Sequence, residues 1–215
     1  MNIFKQAERW LSRFRIQPFF QYIIFAMAGI YLLDLFFPAF RLTSKMALYA
    51  PAVFRGEVWR LVTFLIIPPH GQILQAALTL YFYYFIGTAL EARWGARRFL
   101  VYYVIGALAA IIAGLISGLG TNMYLNLSLF FAFALMNPNF QILLFFVLPI
   151  KIKWLAALNA LYYLYGLATG PWFIKLAIIF SLLNLLLFFG GDLYNQSRLA
   201  IQQWKRRQAF RKNSR

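Results

Sequence analysis

The stretch Val58–Phe99 reads VWRLVTFLIIPPHGQILQAALTLYFYYFIGTALEARWGARRF. A Trp-Arg pair, a Pro-Pro-His-Gly break and a long apolar run follow one another, and the run ends in Glu91, Arg93, Arg97 and Arg98. A lipid-buried helix shows this abrupt change to charged residues where it meets water. The charge cluster therefore marks one membrane face, and the remaining segments can be placed relative to it.

Composition supports that reading along the whole chain. Of 215 residues, 63% are hydrophobic and 12% charged, whereas soluble domains carry about 25% charged residues. Mean hydropathy is +0.68. The length allows about six spans of roughly 20 residues with short loops, and no further soluble domain. The absence of cysteine excludes disulfides, thiolate catalysis and Cys-based metal sites. A single histidine cannot build a His-based metal site, and no phosphate-cradling glycine loop is present, so no metal or cofactor is expected. The net charge of +16 lies at the ends of apolar runs and in the C-terminal tail, as topology signals do. A nucleic-acid partner is not needed to explain it.

Three regions are expected. Residues 1–17 form a basic amphipathic stretch with Phe4, Trp10, Leu11 and Phe14 on one face, suited to the bilayer interface. It shows no cleavage site, so Met1 is expected to stay and the first span to act as the insertion signal. Residues 18–192 hold six spans, near 18–37, 73–90, 99–119, 123–136, 154–168 and 172–190. Residues 193–215 are a basic tail without an acid, expected to meet anionic lipid headgroups. Between the first two spans, residues 39–58 are a mixed connection. Residues 59–67 are apolar but too short to cross, so they predict a re-entrant segment sheltered by protein. Residues 140–153 read as an interfacial connection broken by Pro149. In the third span Gly106, Ala110, Gly114 and Gly118 recur at intervals of four, a stripe that lets another helix approach closely.

An even number of spans places both termini on one side. That side collects Lys5, Arg9, Arg13, Arg15, Arg93, Arg97, Arg98, Lys151, Lys153 and the tail, against Arg41, Lys45, Arg55, Arg60 and Lys175 opposite. The positive-inside rule then predicts cytoplasmic termini, in a bacterial plasma membrane.

Titratable chemistry is sparse. The acids are Glu8, Asp34, Glu57, Glu91 and Asp192. Most fall at predicted membrane borders, where Glu91 is expected to pair with a neighbouring arginine and Asp34 to reach headgroup water. Three positions could bear chemistry. Ser128 and Asn184 lie mid-span, where hydrogen bonding within the bundle is the plainer role. His70 follows two prolines at the mouth of the re-entrant segment, where a solvated histidine is the plainer reading.

The order of these features resembles the rhomboid superfamily. Trp59-Arg60-Leu61-Val62-Thr63 looks like its Trp-Arg motif. Gly87-Thr88-Ala89-Leu90-Glu91, followed by Trp94-Gly95-Ala96-Arg97-Arg98-Phe99, is similar to its second-span end and third-span start. Asn126-Leu127-Ser128-Leu129 stands where active rhomboids carry Gly-x-Ser-Gly, and residues 140–154 resemble the link between their fourth and fifth spans. The resemblance implies an all-α bundle of six transmembrane helices with a partly embedded first loop, which Trp59 and Arg60 would anchor. Active members use a serine on the fourth span and a histidine on the sixth. Ser128 matches the serine, but Asn184 stands at the histidine position. Gln75 and Thr79 align with the second-span His and Asn that assist the oxyanion. An asparagine cannot take the serine proton, so the chain is similar in this respect to derlins and bacterial pseudoproteases. The resemblance then implies a non-catalytic protein that binds transmembrane segments of client proteins or assists membrane-protein quality control. The alternatives are an intramembrane serine protease with an atypical site, needing Ser128 as nucleophile and a substitute base, and a small transporter or scaffold. Transport is opposed by the lack of paired intramembrane charges.

Overall fold

The computed structural model describes residues 16–144 and 148–189. The basic stretches at the two ends, Glu8 and Asp192 lie outside the described residues. Six apolar helices carry the fold: α1 (Phe20–Phe36), α5 (Ile73–Trp94), α6 (Ala96–Ser117), α7 (Met123–Met136), α8 (Ile152–Thr169) and α9 (Trp172–Phe189). The link from α1 to α5 holds short helices α2 (Leu42–Met46), α3 (Ala50–Val53) and α4 (Arg60–Thr63), with strand β1 (Leu48–Tyr49) between α2 and α3. Strand β2 (Leu119–Gly120) lies between α6 and α7, and strands β3 (Gln141–Leu144) and β4 (Leu148–Lys151) between α7 and α8.

Among the described residues, α5, α6 and α9 are long and apolar enough to cross a membrane. Counting α1 with the segment bent 103° from it gives up to four. The other two helices of the expected six fall short for physical reasons. The 14 residues of α7 rise only about 21 Å, against a hydrocarbon core of about 30 Å. The helix α8 is diluted by Lys153, Asn159, Tyr162, Tyr163 and Tyr165. The fold is thus a helical membrane bundle.

Two departures from the sequence reading come from the connections. Residues 140–153 are not a plain interfacial link: β3 and β4 pair antiparallel, Gln141 opposite Lys151 and Leu143 opposite Pro149. Non-helical backbone near lipid must satisfy its own polar groups, and a hairpin does so. The second small sheet pairs Leu48 with Gly120 and Tyr49 with Leu119, so the first loop is stitched to the turn between α6 and α7. Glycine makes that approach possible. A Cβ on Gly114 would stand 2.8 Å from the Cα of Gly120. The fully buried Leu48 fills the notch beside these two glycines.

Arg60 holds the first loop together. Its guanidinium is largely buried and donates to the carbonyls of Ser44 (2.9 Å) and Ala47 (2.8 Å), while pairing with Glu57 at 2.7 Å. Thr63 Oγ1 adds a bond to the carbonyl of Met46. Trp59, by contrast, is 52% exposed, so Arg60 is the residue that ties the loop.

Glu91 does not take the neighbouring-arginine role expected of it. It is 3% exposed, and its carboxylate accepts from the backbone N–H of Phe19 (2.8 Å) and Phe20 (3.4 Å), 72 and 71 residues away. The first N–H groups of a helix have no partner within it, and an anion there also meets the positive end of the helix dipole. Glu91 thus caps α1 from α5. Phe20 fits beside it against Gly87, where any side chain would collide with the Phe20 ring. Replacing Glu91 by alanine leaves two N–H donors unpaired, one buried and one half-buried, and is expected to cost about 2–3 kcal/mol. Glu91→Gln keeps one carbonyl acceptor and should lose about half as much, as read from thermal unfolding in micelles.

Candidate functional site

The middle of the bundle holds a layer of polar side chains contributed by α6, α7 and α9. Ser128 on α7 is 1% exposed. Its hydroxyl donates to the carbonyl of Leu125, one turn back, at 2.7 Å, and accepts from the phenol of Tyr102 on α6 at 3.0 Å. Asn184 on α9 is 2% exposed. Its amide nitrogen reaches the carbonyl of Tyr102 at 3.5 Å, while its Oδ1 has no hydrogen-bond partner. Nearby, Ser181 donates to the carbonyl of Tyr124 at 2.8 Å, and the Tyr163 hydroxyl lies 3.3 Å from Ser181 Oγ.

The small-residue stripe explains how these helices come so close. A Cβ on Gly106 would stand 2.6 Å from Asn184 Nδ2. Only glycine at that position lets an amide on α9 lie against the α6 backbone. Between Gly106, Ser128, Ser181 and Asn184 lies a cavity of about 20 Å³, room for about one water molecule.

The other predicted residues lie elsewhere. Gln75 and Thr79 line a second, larger cavity of about 980 Å³ with His70, Asp34 and Arg41. Thr79 Oγ1 donates to the carbonyl of Gln75 within its own helix, at 2.8 Å. His70 is exposed on this larger cavity's wall, and both hydrogen bonds of Ser128 go to other groups. Ser128 and Asn184 therefore share one cavity, while His70, Gln75 and Thr79 share the other. The two cavities have Gly120 and Thr121 in common.

Sequence reasoning missed Tyr102, the direct partner of Ser128. Nothing marks it among 13 tyrosines except its register. It precedes Gly106 by four residues and so extends the close-packing stripe by one turn. Asn122 was also missed. Its amide donates to the carbonyls of Leu65 (3.1 Å) and Ile67 (2.9 Å), tying the start of α7 to the first loop.

The chemistry open to the central layer is limited. A serine hydroxyl needs a base to become a useful nucleophile at neutral pH. Asn184 offers only an amide, which has no nitrogen able to take a proton. The two hydrogen bonds of Ser128 run to Leu125 on its own helix and to Tyr102 on α6.

The Rhomboid domain model matches residues 55–179, more than half of the chain. The chain belongs to the rhomboid family. It is also 42% identical over 71 residues to Rhomboid-like protease 3 of Toxoplasma gondii. That match takes in 33% of this chain and 25% of the relative, so the chain spans about a quarter of that protein's length.

If the Tyr102–Ser128 bond joins α6 to α7, the two side chains must be coupled. Tyr102→Phe and Ser128→Ala should each lower stability. The double variant should fall short of their sum by about 0.6–1.7 kcal/mol, the range of interhelical hydrogen bonds in membranes. A cycle of unfolding measurements in micelles checks this.

Proposed function

We propose that this protein is a non-catalytic rhomboid-family membrane protein that binds transmembrane segments of other proteins, in the manner of a quality-control factor. What carries the reading is the state of Ser128. Its hydroxyl proton is given to the Leu125 carbonyl and its lone pair receives the Tyr102 phenol. The residue across the small cavity is Asn184. In this reading Ser128 and Asn184 serve as buried hydrogen-bonding groups within the bundle or toward a client helix. Arg60 keeps the first loop in shape, and Trp59 is a half-exposed contact for the membrane border.

The arrangement in the bilayer is part of the proposal. All six apolar helices cross, the short α7 standing in the middle of the bundle, where nine of its residues are buried. A short span costs least where neighbouring helices rather than lipid surround it. Both termini face the cytoplasm of a bacterial cell. The basic segments, residues 1–17 and 193–215, lie on the headgroups around the domain formed by residues 18–192. No cofactor, metal or nucleic acid takes part.

A second reading is favoured by one observation, that the Toxoplasma relative is a rhomboid-like protease by name. An intramembrane serine protease would use Ser128 as nucleophile, released from Tyr102 and served by a base other than Asn184. A fluorophosphonate probe separates the two, because it modifies only an activated serine. The non-catalytic reading predicts equal background labelling of wild type and Ser128→Ala. Labelling of wild type that disappears in Ser128→Ala would establish the protease instead.

A further inference from the structure

The larger cavity lies at the end of the bundle away from Arg93, Arg97 and Arg98, where α1 ends, α5 and α7 begin, and the first loop passes between them. Its place relative to the bilayer follows from α1. The apolar helix stops at Phe36, a short turn follows over Pro38–Phe40, and the chain departs at 103° into the more polar α2. That change of direction and polarity marks the border between hydrocarbon and headgroups. The cavity opens there.

Its lining is mixed. Leu35, Ile67 and Met123 are apolar, while Arg41, Thr43, His70, Gln75 and Thr79 are polar. At about 980 Å³ it is at the upper limit of the usual volume of ligand sites. The titratable or charged groups on this lining, tyrosines aside, are Asp34, Arg41 and His70. The carboxylate of Asp34 is already engaged, accepting from the backbone N–H of Leu42 (2.7 Å) and Thr43 (2.9 Å). Arg41 has no such engagement: among the described residues its guanidinium makes no hydrogen bond or ion pair.

Arg41 is left-handed in its backbone, at the end of the Pro38–Phe40 turn. It is the only non-glycine residue with positive φ among those described, at φ 48° and ψ 46°. Residues that end a helical turn commonly take this conformation, and in an L-residue it needs support from its surroundings. Here Asp34 supplies the constraint, since it fastens the two amides that directly follow Arg41. Asp34 thus fixes the backbone that follows Arg41, an exposed residue on the cavity's lining.

We propose that this cavity binds an anionic phospholipid, its phosphate held by Arg41 and His70 and its acyl chain laid along the wall of Tyr31, Leu35 and Tyr83. A guanidinium presents parallel N–H donors matched to phosphate oxygens. A soluble phosphate would make use of the polar end only. The apolar part of the lining and the position at the membrane border are what favour a lipid.

The test uses the full chain in nonionic micelles and titration calorimetry. Three probes are compared: dihexanoyl phosphatidylglycerol, its phosphate-free dihexanoyl glycerol counterpart, and inorganic phosphate. Arg41→Gly removes the guanidinium while suiting the left-handed backbone, so it should fold at least as well as wild type; Arg41→Lys keeps the charge. Saturable binding of the phospholipid is expected. It should weaken at least about tenfold in Arg41→Gly, as loss of one charge-assisted hydrogen bond implies, and return most of the way in Arg41→Lys. Inorganic phosphate should bind much more weakly than the phospholipid, and the phosphate-free lipid should bind like Arg41→Gly binds the phospholipid. Equal affinity for inorganic phosphate would overturn the lipid assignment. An unchanged affinity in Arg41→Gly, or no saturable binding of the phospholipid, would overturn the site.

Discussion

The Tyr102–Ser128 hydrogen bond joins α6 to α7 in the buried middle of the bundle. Inside a bilayer the hydrophobic effect does not drive helices together, because lipid is as apolar as the side chains. Close packing and internal hydrogen bonds must do it instead. The structure answers that constraint repeatedly. Ser128 satisfies itself on Leu125 and receives Tyr102, Ser181 and Tyr163 converge on Tyr124, and Gly106 lets Asn184 lie against α6. A polar layer assembled this way holds the bundle together. In it the Ser128 hydroxyl donates to Leu125 and accepts from Tyr102, and among the described residues no side-chain base is bonded to it.

The same constraint governs the ends of the helices. The first N–H groups of α1 are met by Glu91 from α5, and those of α2 by Asp34 from α1. Arg60 meets two carbonyls of the first loop, and Asn122 meets two more. In each case a single charged or amide side chain closes a gap in backbone hydrogen bonding that water would close in a soluble protein. These residues are few because the chain has few polar groups to spend. That scarcity is why each can be given a definite partner.

Much of this was legible in the sequence where the signal is local. Apolar runs and their charged ends give the helices to within a few residues, and the second and fourth predicted spans begin at Ile73 and Met123, as α5 and α7 do. The Trp-Arg motif, the glycine stripe and Ser128 could be read directly, and the chain's membership of the rhomboid family agrees with the resemblance they carry. What the sequence concealed is long-range. The partner of Glu91 is a backbone amide more than seventy residues away, and no pattern around Glu91 points to it. The β3–β4 hairpin and the β1–β2 pair involve too few residues to show an alternating pattern. Tyr102 looked like one more aromatic in an apolar run. The site residues were thus visible as types, and their grouping into two cavities was not.

The central claim is that Ser128 holds the bundle together and attacks nothing. Cleavage of transmembrane substrates by the full chain in proteoliposomes, measured beside Ser128→Ala, tests it most directly. The account predicts the same background in both, with the variant less stable than wild type. Product formed by wild type and abolished in Ser128→Ala would contradict it.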